Sequence, residues 1–283
     1  MVMIHISEED VRHLLPMNEA VRLVRHAFAE LRTGRAVNQI RRRLTLPNGV
    51  GLHSMAGAVG KYFGTKFYST SPTGYAFHFM LYSAETAQPL ALFEANWLGQ
   101  IRTGATSGVA TDLLAHPEAK VLAVIGTGFQ AASQIDAVRS VRPGITEVRS
   151  WSRSKQVNCR SAEECVRGAD IICTATWAKD PVLEAAWVKP GAHVNAVGSN
   201  YRTKRELPGE LVQQASILAV DALEAAQDEA GDLLMANVDW ARVIELKDLA
   251  PSWQPDRVTV FKSVGLCLED VAVAGYVYEQ MAR

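Results

Sequence analysis

Apolar and polar positions follow two different rhythms along the chain. Across the first hundred residues, short apolar runs are broken by turn residues, as in an antiparallel sheet preceded by helices. Ser7 and Asp10 have the spacing of a capping box, with Val11, Leu14 and Leu15 following. Val21, Val24, Phe28 and Leu31 recur at helical spacing, which predicts a helix over Asn18 to Arg32 ended by Gly34. Arg41 to Leu46 and Val50 to Ser54 read as strands around Pro47-Asn48-Gly49. Lys61 to Ser69, Phe77 to Ser83 and Leu90 to Glu94 read as further strands, the first two separated by Ser71-Pro72-Thr73-Gly74. Thr103 to Leu114, rich in Ala, Gly and Ser, reads as a closely packing helix. From Lys120 onward strands and helices alternate: strands at Val121–Ile125, Glu147–Trp151, Asp170–Thr174, His193–Val197 and Ile217–Val220, helices at Gln130–Ser140 and Ser161–Val166. That alternation predicts a parallel sheet covered on both faces. Cys267 to Met281 closes the chain as an apolar-faced helix.

Bulk composition narrows the partners. Of 283 residues, 48% are apolar and 21% charged, the balance of a globular chain with a full core. A net charge of −1 without basic runs argues against nucleic acid or an anionic membrane surface. Neither a signal peptide nor an apolar stretch near the roughly 20 residues of a bilayer span is read. Cys159, Cys165, Cys173 and Cys267 match no zinc spacing, so no metal is expected, and a cytoplasmic setting with reduced thiols is.

The chemistry starts at Gly126-Thr127-Gly128-Phe129-Gln130-Ala131. This stretch follows an apolar strand directly and opens a helix, the context a dinucleotide fingerprint requires. Gly126 makes the tight turn, Gly128 lets backbone approach a pyrophosphate, and the helix N-terminus offers free N–H groups. An acidic residue at the end of the next strand would bind a ribose 2′-hydroxyl. Trp151-Ser152-Arg153-Ser154-Lys155 stands there instead, which favours the 2′-phosphate of NADPH, with NADH as the other choice and a solvated basic turn as the bland one. Further cations are Arg41-Arg42-Arg43 in a strand, where Arg42 faces away from its neighbours, Lys66 in another strand, and Arg102 just before the helix of small residues. Each alone reads as a solvated charge as readily as a ligand.

Taken together, several stretches resemble the ornithine cyclodeaminase/μ-crystallin family. They are Gly64-Thr65-Lys66, Arg102-Thr103-Gly104-Ala105-Thr106-Ser107, the glycine turn, Ala169 to Thr176, Pro190 to Ser199, Lys204-Arg205-Glu206-Leu207, Phe261 to Gly265 and Leu268-Glu269-Asp270. The resemblance implies a homodimer of two-domain chains. Residues 1–114 with 265–283 would form a mainly antiparallel α+β domain for substrate and dimerisation. Residues 115–264 would form a Rossmann-type, doubly wound α/β domain for the dinucleotide. By motif match, Arg42, Lys66 and Arg102 would hold a substrate carboxylate, with Asn200 and Val264 also at substrate positions, and Lys66 would govern imine protonation. Arg102, Thr103, Gly126, Gly128, Phe129, Gln130, Ser152, Arg153, Ser154, Thr176, Val197, Gly198, Ser199, Lys204 and Ser263 match cofactor positions.

Two departures carry information. Cyclodeaminases resemble one another in a Glu-Leu-Met-Pro and a Gly-Gly-Asp stretch, where this chain has His53-Ser54-Met55-Ala56 and Gly198-Ser199-Asn200. Both acid/base carboxylates are gone, and Asn cannot exchange a proton. His53 is then a candidate general acid, or a strand histidine that only packs. The chain is also short between Ser154 and Ser161, where relatives place a helix and a strand. The expected activity is reduction of a cyclic α-imino acid such as pyrroline- or piperideine-2-carboxylate. The alternatives are ornithine cyclodeamination, an alanine-type dehydrogenase, and a non-catalytic NADP-binding protein like μ-crystallin.

Overall fold

The computed structural model describes residues 3–71 and 73–281. Readings that touch Met1, Val2, Pro72, Ala282 or Arg283, including part of the 71–74 turn, lie outside the described residues. The chain divides into two compact units, Met1–Arg102 with Leu266–Arg283, and Thr103–Gly265.

The first unit opens with β1 (Ile4–Ile6), α1 (Glu8–Leu14) and α2 (Met17–Arg32). The capping box forms as read: the Ser7 hydroxyl accepts from the Asp10 N–H while the Asp10 carboxylate accepts from the Ser7 N–H. Gly34 ends α2 at φ +73°, the left-handed region that glycine enters freely. Then follow β2 (Ala36–Thr45), β3 (Gly51–Val59), β4 (Tyr62–Ser71), β5 (Gly74–Ser83) and β6 (Pro89–Glu94). They form one sheet in the order β1-β6-β5-β4-β3-β2, antiparallel except for the β1–β6 pair. The Asn48 side chain and Gly49 at φ +81° make the β2–β3 turn. Both strands run longer than the turn signal alone implies. A bulge between Gln39 and Arg42 shifts the β2 register by one residue.

α3 (Asn96–Leu114) starts seven residues before the expected Thr103. Apolar Trp97, Leu98 and Ile101 extend it, and Glu8 caps it, its carboxylate accepting from the Asn96 N–H at 2.7 Å and the Trp97 N–H at 2.6 Å. A carboxylate on that helix end is worth about 1 kcal/mol. The reading of Arg102 as a residue just before a helix is therefore corrected: it lies within the helix, away from the N-terminus. The two units part after Arg102, inside α3, rather than at the expected 114/115. Thr103–Leu114 packs with the second unit, where Thr111 accepts a hydrogen bond from Asn195 at 2.9 Å and the Leu113 carbonyl one from Ser252 at 2.9 Å.

The second unit contains β7 (Val121–Ile125), α4 (Phe129–Val141), β8 (Glu147–Trp151), α5 (Ala162–Val166), β9 (Ile171–Thr174) and β10 (His193–Ala196). It continues with α6 (Gly209–Gln214), β11 (Ile217–Val220), α7 (Leu223–Glu229), α8 (Gly231–Met235), β12 (Val243–Glu245) and β13 (Thr259–Lys262). All seven strands are parallel, in the order β12-β11-β13-β10-β9-β7-β8. This is the expected α/β doubly wound sheet, with a switch in strand order beside β7. Strands β12 and β13, three and four residues long, are not among the strands read from the sequence. Yet β13 sits centrally, between β10 and β11.

The last helix, α9 (Cys267–Met281), returns to the first unit and packs on the sheet. At Gly57 on β3 a Cβ would lie 2.7 Å from the Leu268 N, so only glycine lets helix and strand approach this closely. The sheet therefore has one face covered by α9, carrying His53, Met55, Gly57, Gly64, Lys66, Tyr68 and Phe79, all buried. The opposite face carries Val37, Leu44, Leu52, Phe63, Phe67, Met80 and Tyr82, half-buried or exposed.

Candidate active site

In the second unit the expected cofactor residues gather at the carboxyl ends of the parallel strands. Gly126 ends β7 at φ +106°, with its N–H bonded to the Trp151 carbonyl. Gly128 caps α4 with no side-chain hydrogen bond, and a Cβ there would meet nothing within 4 Å. The first turn of α4, with Phe129 exposed and Gln130 half-buried, is thus open to an approaching phosphate. Ser152, Arg153 and Ser154 follow β8, Thr176 follows β9, and Val197, Gly198, Ser199 and Asn200 follow β10. Gly126 to Gly128, Trp151 to Lys155, and Ala175 to Glu184 line one cavity of about 1130 Å³. Tight glycine turn, uncapped helix end and adjoining cavity fit a dinucleotide.

Four positions behave differently from a simple cofactor contact. The buried Ser263 hydroxyl donates to Asp221 at 3.0 Å, and the Val264 N–H donates to the same carboxylate at 2.8 Å. Lys204 lies over the Trp177 ring at 4.2 Å, and burial, followed by nearby Lys179, pulls its ammonium below the ordinary lysine value. Thr103 is buried within α3.

The short stretch after Ser154 forms no helix or strand. β8 is consequently the sheet edge, and the stretch covers that edge itself. The Asn158 amide accepts from the Ser150 N–H at 2.6 Å and donates to the Val148 carbonyl at 2.8 Å. One side chain thereby satisfies backbone groups that an additional strand would otherwise pair.

In the first unit the cations meet carboxylates from α9. Lys66 is 3% exposed, and its Nζ donates to Asp270 Oδ1 at 2.8 Å. The solvated-face reading of Lys66 is thus excluded. Arg102 Nη1 donates to Glu269 at 2.7 Å, and its Nε lies 3.4 Å from Asp270 Oδ2, a charge contact more than an aligned bond. A Cβ at Gly99 would lie 2.6 Å from the Lys66 Nζ, so the glycine makes room for the ammonium. Burial pulls the Lys66 pKa below the ordinary lysine value, while Asp270 works to raise it.

Arg42 does not join this group. The bulge in β2 puts Arg42 opposite Ser54 and Phe67, on the exposed face. Arg41 is buried on the Lys66 side, and Arg43 pairs with His53. His53 stacks flat on Tyr68 with centroids 4.4 Å apart, and its Nε2 is 3.1 Å from the Thr70 hydroxyl. Burial, then Arg43 and Arg41, push its pKa down to about 4. A ring already neutral at pH 7 is poorly suited to donate a proton, so the geometry favours the packing role.

The sequence names Arg41, Glu269 and Asp270 only within longer stretches and gives none of them a site role. Alternation holds across Arg41-Arg42-Arg43, but the motif match picks Arg42, and the strand buries Arg41 instead. Glu269 and Asp270 sit in the first turn of α9, where acidic residues also serve the helix dipole.

The profile of the Ornithine cyclodeaminase/mu-crystallin family matches residues 2–283. The chain belongs to this family. The Delta(1)-pyrroline-2-carboxylate reductase of Bacillus cereus is 34% identical over 314 residues, spanning 98% of this chain and 96% of that one. The ketimine reductase mu-crystallin of Mus musculus is 38% identical over 214 residues, 71% of this chain and 68% of that one. Among solved structures, Thermococcus litoralis Delta(1)-pyrroline-2-carboxylate reductase, in complex with NADH and L-proline, superposes with a TM-score of 0.94 at 29% identity. It covers 99% of this chain and 98% of that one. A family that spans reductases and cyclodeaminases leaves the reaction to be argued from this chain's own residues.

Proposed function

We propose that this chain reduces a cyclic α-imino acid, of the pyrroline- or piperideine-2-carboxylate type, with NADPH. It acts as an oxidoreductase on a CH–NH group, in the cytoplasm, where its four cysteines stay thiols. The observation that carries the reading is the buried Lys66–Asp270–Arg102–Glu269 cluster, in a chain that lacks both cyclodeaminase carboxylates. A bound nicotinamide supplies the hydride. Lys66 holds a proton for the imine nitrogen, and Asp270 opposes the loss of that proton that burial favours. Arg102 and Arg41, the latter in place of Arg42, orient the carboxylate beside Lys66 so that the α-carbon is presented in one pose. The family resemblance adds Asn200 and Val264 as candidate substrate contacts. The reductase names of the relatives support the same reaction class.

The preference for NADPH rests on Arg153 and its neighbours Ser152 and Ser154, which line the cavity without a carboxylate among them. Steady-state NADPH oxidation with a panel of cyclic imino acids tests the reading. No turnover despite cofactor binding would instead favour a binding protein, and ammonia release from ornithine a cyclodeaminase. In Arg153→Ala, kcat/KM for NADPH is expected to fall by about 10–100-fold, the worth of one charge-assisted contact, with NADH values unchanged. A wild-type enzyme that strongly prefers NADH sinks the cofactor assignment.

The exposed face of the first unit's sheet supports a homodimer. Val37, Leu44 and Leu52 are each at least half exposed, and Phe63, Phe67 and Met80 share that face with them. An exposed sheet face that carries several large apolar side chains is a surface that a second copy covers. Light scattering should give twice the mass of the 30.9 kDa chain. Phe67→Asp, which puts a charge in the middle of that face, should give a monomer; an unchanged mass places the interface elsewhere.

A further inference from the structure

Glu206 is fully buried on the segment after β10, with no contact to solvent. Its Oε1 accepts from the Thr176 N–H at 2.6 Å and the Thr176 hydroxyl at 2.8 Å. Its Oε2 accepts from the Gly198 N–H at 2.7 Å. One carboxylate thus ties the turn after β9 to the turn after β10. The Glu206 main chain adds two more links, since its carbonyl accepts from the Val182 N–H at 2.8 Å and its N–H donates to Asp232 at 2.6 Å. Asp232 in turn lies 3.0 Å from the Lys262 Nζ, which donates to the Ser199 carbonyl at 2.6 Å. The packing leaves no slack. A Cβ on Gly198 would come within 2.1 Å of the Thr176 N and 2.4 Å of Glu206 Oε1.

Thr176 and Val182 line the cavity beside the glycine turn. Beside the backbone bonds from the Ala175 N–H to the Ile125 carbonyl and from the Val197 N–H to the Thr174 carbonyl, the Glu206 carboxylate and the Asp232–Lys262 pair fix these turns with side chains. A buried carboxylate that accepts three hydrogen bonds is expensive to bury, and a core needs no charge to stay closed here. We propose that Glu206 is the positioning residue of the dinucleotide site, whose carboxylate sets the placement of Thr176 and Gly198 and so the affinity for the cofactor. This rests on the dinucleotide reading above. Glu206 touches no substrate and carries no proton in the reaction. An amide at this place keeps the size but turns one of its two ends into a donor facing an N–H donor.

The test is direct cofactor binding, followed by the quenching of tryptophan fluorescence with NADPH and no substrate present. In Glu206→Gln, the Kd for NADPH should rise at least about tenfold, while the KM for the imino acid at saturating NADPH changes less than about twofold. Hydrogen exchange at the Thr176 and Gly198 amides should quicken in the same variant. A merely structural role would lower the melting temperature and leave the split between Kd and KM absent. A folded Glu206→Gln whose Kd stays within twofold of wild type overturns the inference. Should that variant fail to fold, Asp232→Asn decides: it loosens the anchor of the Glu206 main chain, and a Kd raised about threefold supports the inference while an unchanged one overturns it. A wild-type chain that binds neither NADPH nor NADH overturns the functional reading, and this inference with it. Binding by wild type with unaltered variants overturns this inference alone.

Discussion

Replacing Lys66 by Met should lower kcat by about 10²–10⁴-fold, the usual contribution of a positioned proton donor, and leave the Kd for NADPH unchanged within about twofold. The argument is electrostatic. The ammonium is fully buried, and burial alone would drive off its proton. Asp270 at 2.8 Å opposes that loss, so the proton is held but not tightly. A group in that condition can give its proton to an imine as hydride arrives and recover it afterwards. The pH profile follows in sign: the acid must be protonated, so kcat falls as pH rises through the lowered Lys66 pKa. Asp270→Asn removes the group that raises this pKa, and should move the alkaline limb to lower pH. Removing one partner of a buried pair costs about 3–5 kcal/mol of stability, so each single variant should melt earlier. The double variant Lys66→Met/Asp270→Asn carries no unpaired charge and should recover most of that stability without recovering activity. That cycle separates chemistry from folding. A folded Lys66→Met with kcat within tenfold of wild type removes Lys66 from the proton-donor role.

What the sequence made legible follows a physical pattern. Regular, strongly periodic segments such as α2 and the alternation from β7 onward came through, because burial of one stripe or of whole short strands leaves a mark in composition. The glycine turn came through because positive φ and close approach both demand glycine. Arg42 was chosen by motif match, and three arginines in a row give no sign of which one the strand buries; the bulge between Gln39 and Arg42 leaves Arg41 inside and Arg42 outside. The start of α3 misled because its cap is Glu8, some 88 residues earlier in the chain. β13 was passed over although it is no shorter than β9, β10 or β11, is buried at all four positions and holds the middle of the sheet. The candidate site was legible as residue types and only partly as geometry. The pairing of Lys66 with Asp270 joins positions 204 residues apart, and no local rule reaches that far.

Two glycines of the same turn should respond in opposite ways to the same small change. Gly126→Ala should destabilise the protein by about 2–4 kcal/mol, since an L residue at positive φ is strained and the new methyl has nowhere to go. Its Cβ would lie 2.4 Å from the Ala175 carbonyl oxygen, which is backbone and cannot swing aside. Ala175 is itself bonded to the Ile125 carbonyl at 2.8 Å, and the Gly126 N–H to the Trp151 carbonyl at 2.9 Å, so relief would pull apart the ends of β7, β8 and β9. Gly128→Ala meets none of this. Its φ is −78°, and a Cβ there finds nothing within 4 Å. The cost to stability should stay below about 1 kcal/mol, the difference between Gly and Ala at a helix N-cap. The open space over Gly128 is, on the proposed reading, the place where a pyrophosphate reaches the first N–H groups of α4. A methyl group in that place should raise the Kd for NADPH at least about tenfold, equivalent to roughly 1.4 kcal/mol. Thermal melts and fluorescence titration of the two variants side by side read both effects. If Gly128→Ala binds NADPH as tightly as wild type, the glycine turn is a tight β–α connection and nothing more, and the dinucleotide must be sought elsewhere on the second unit.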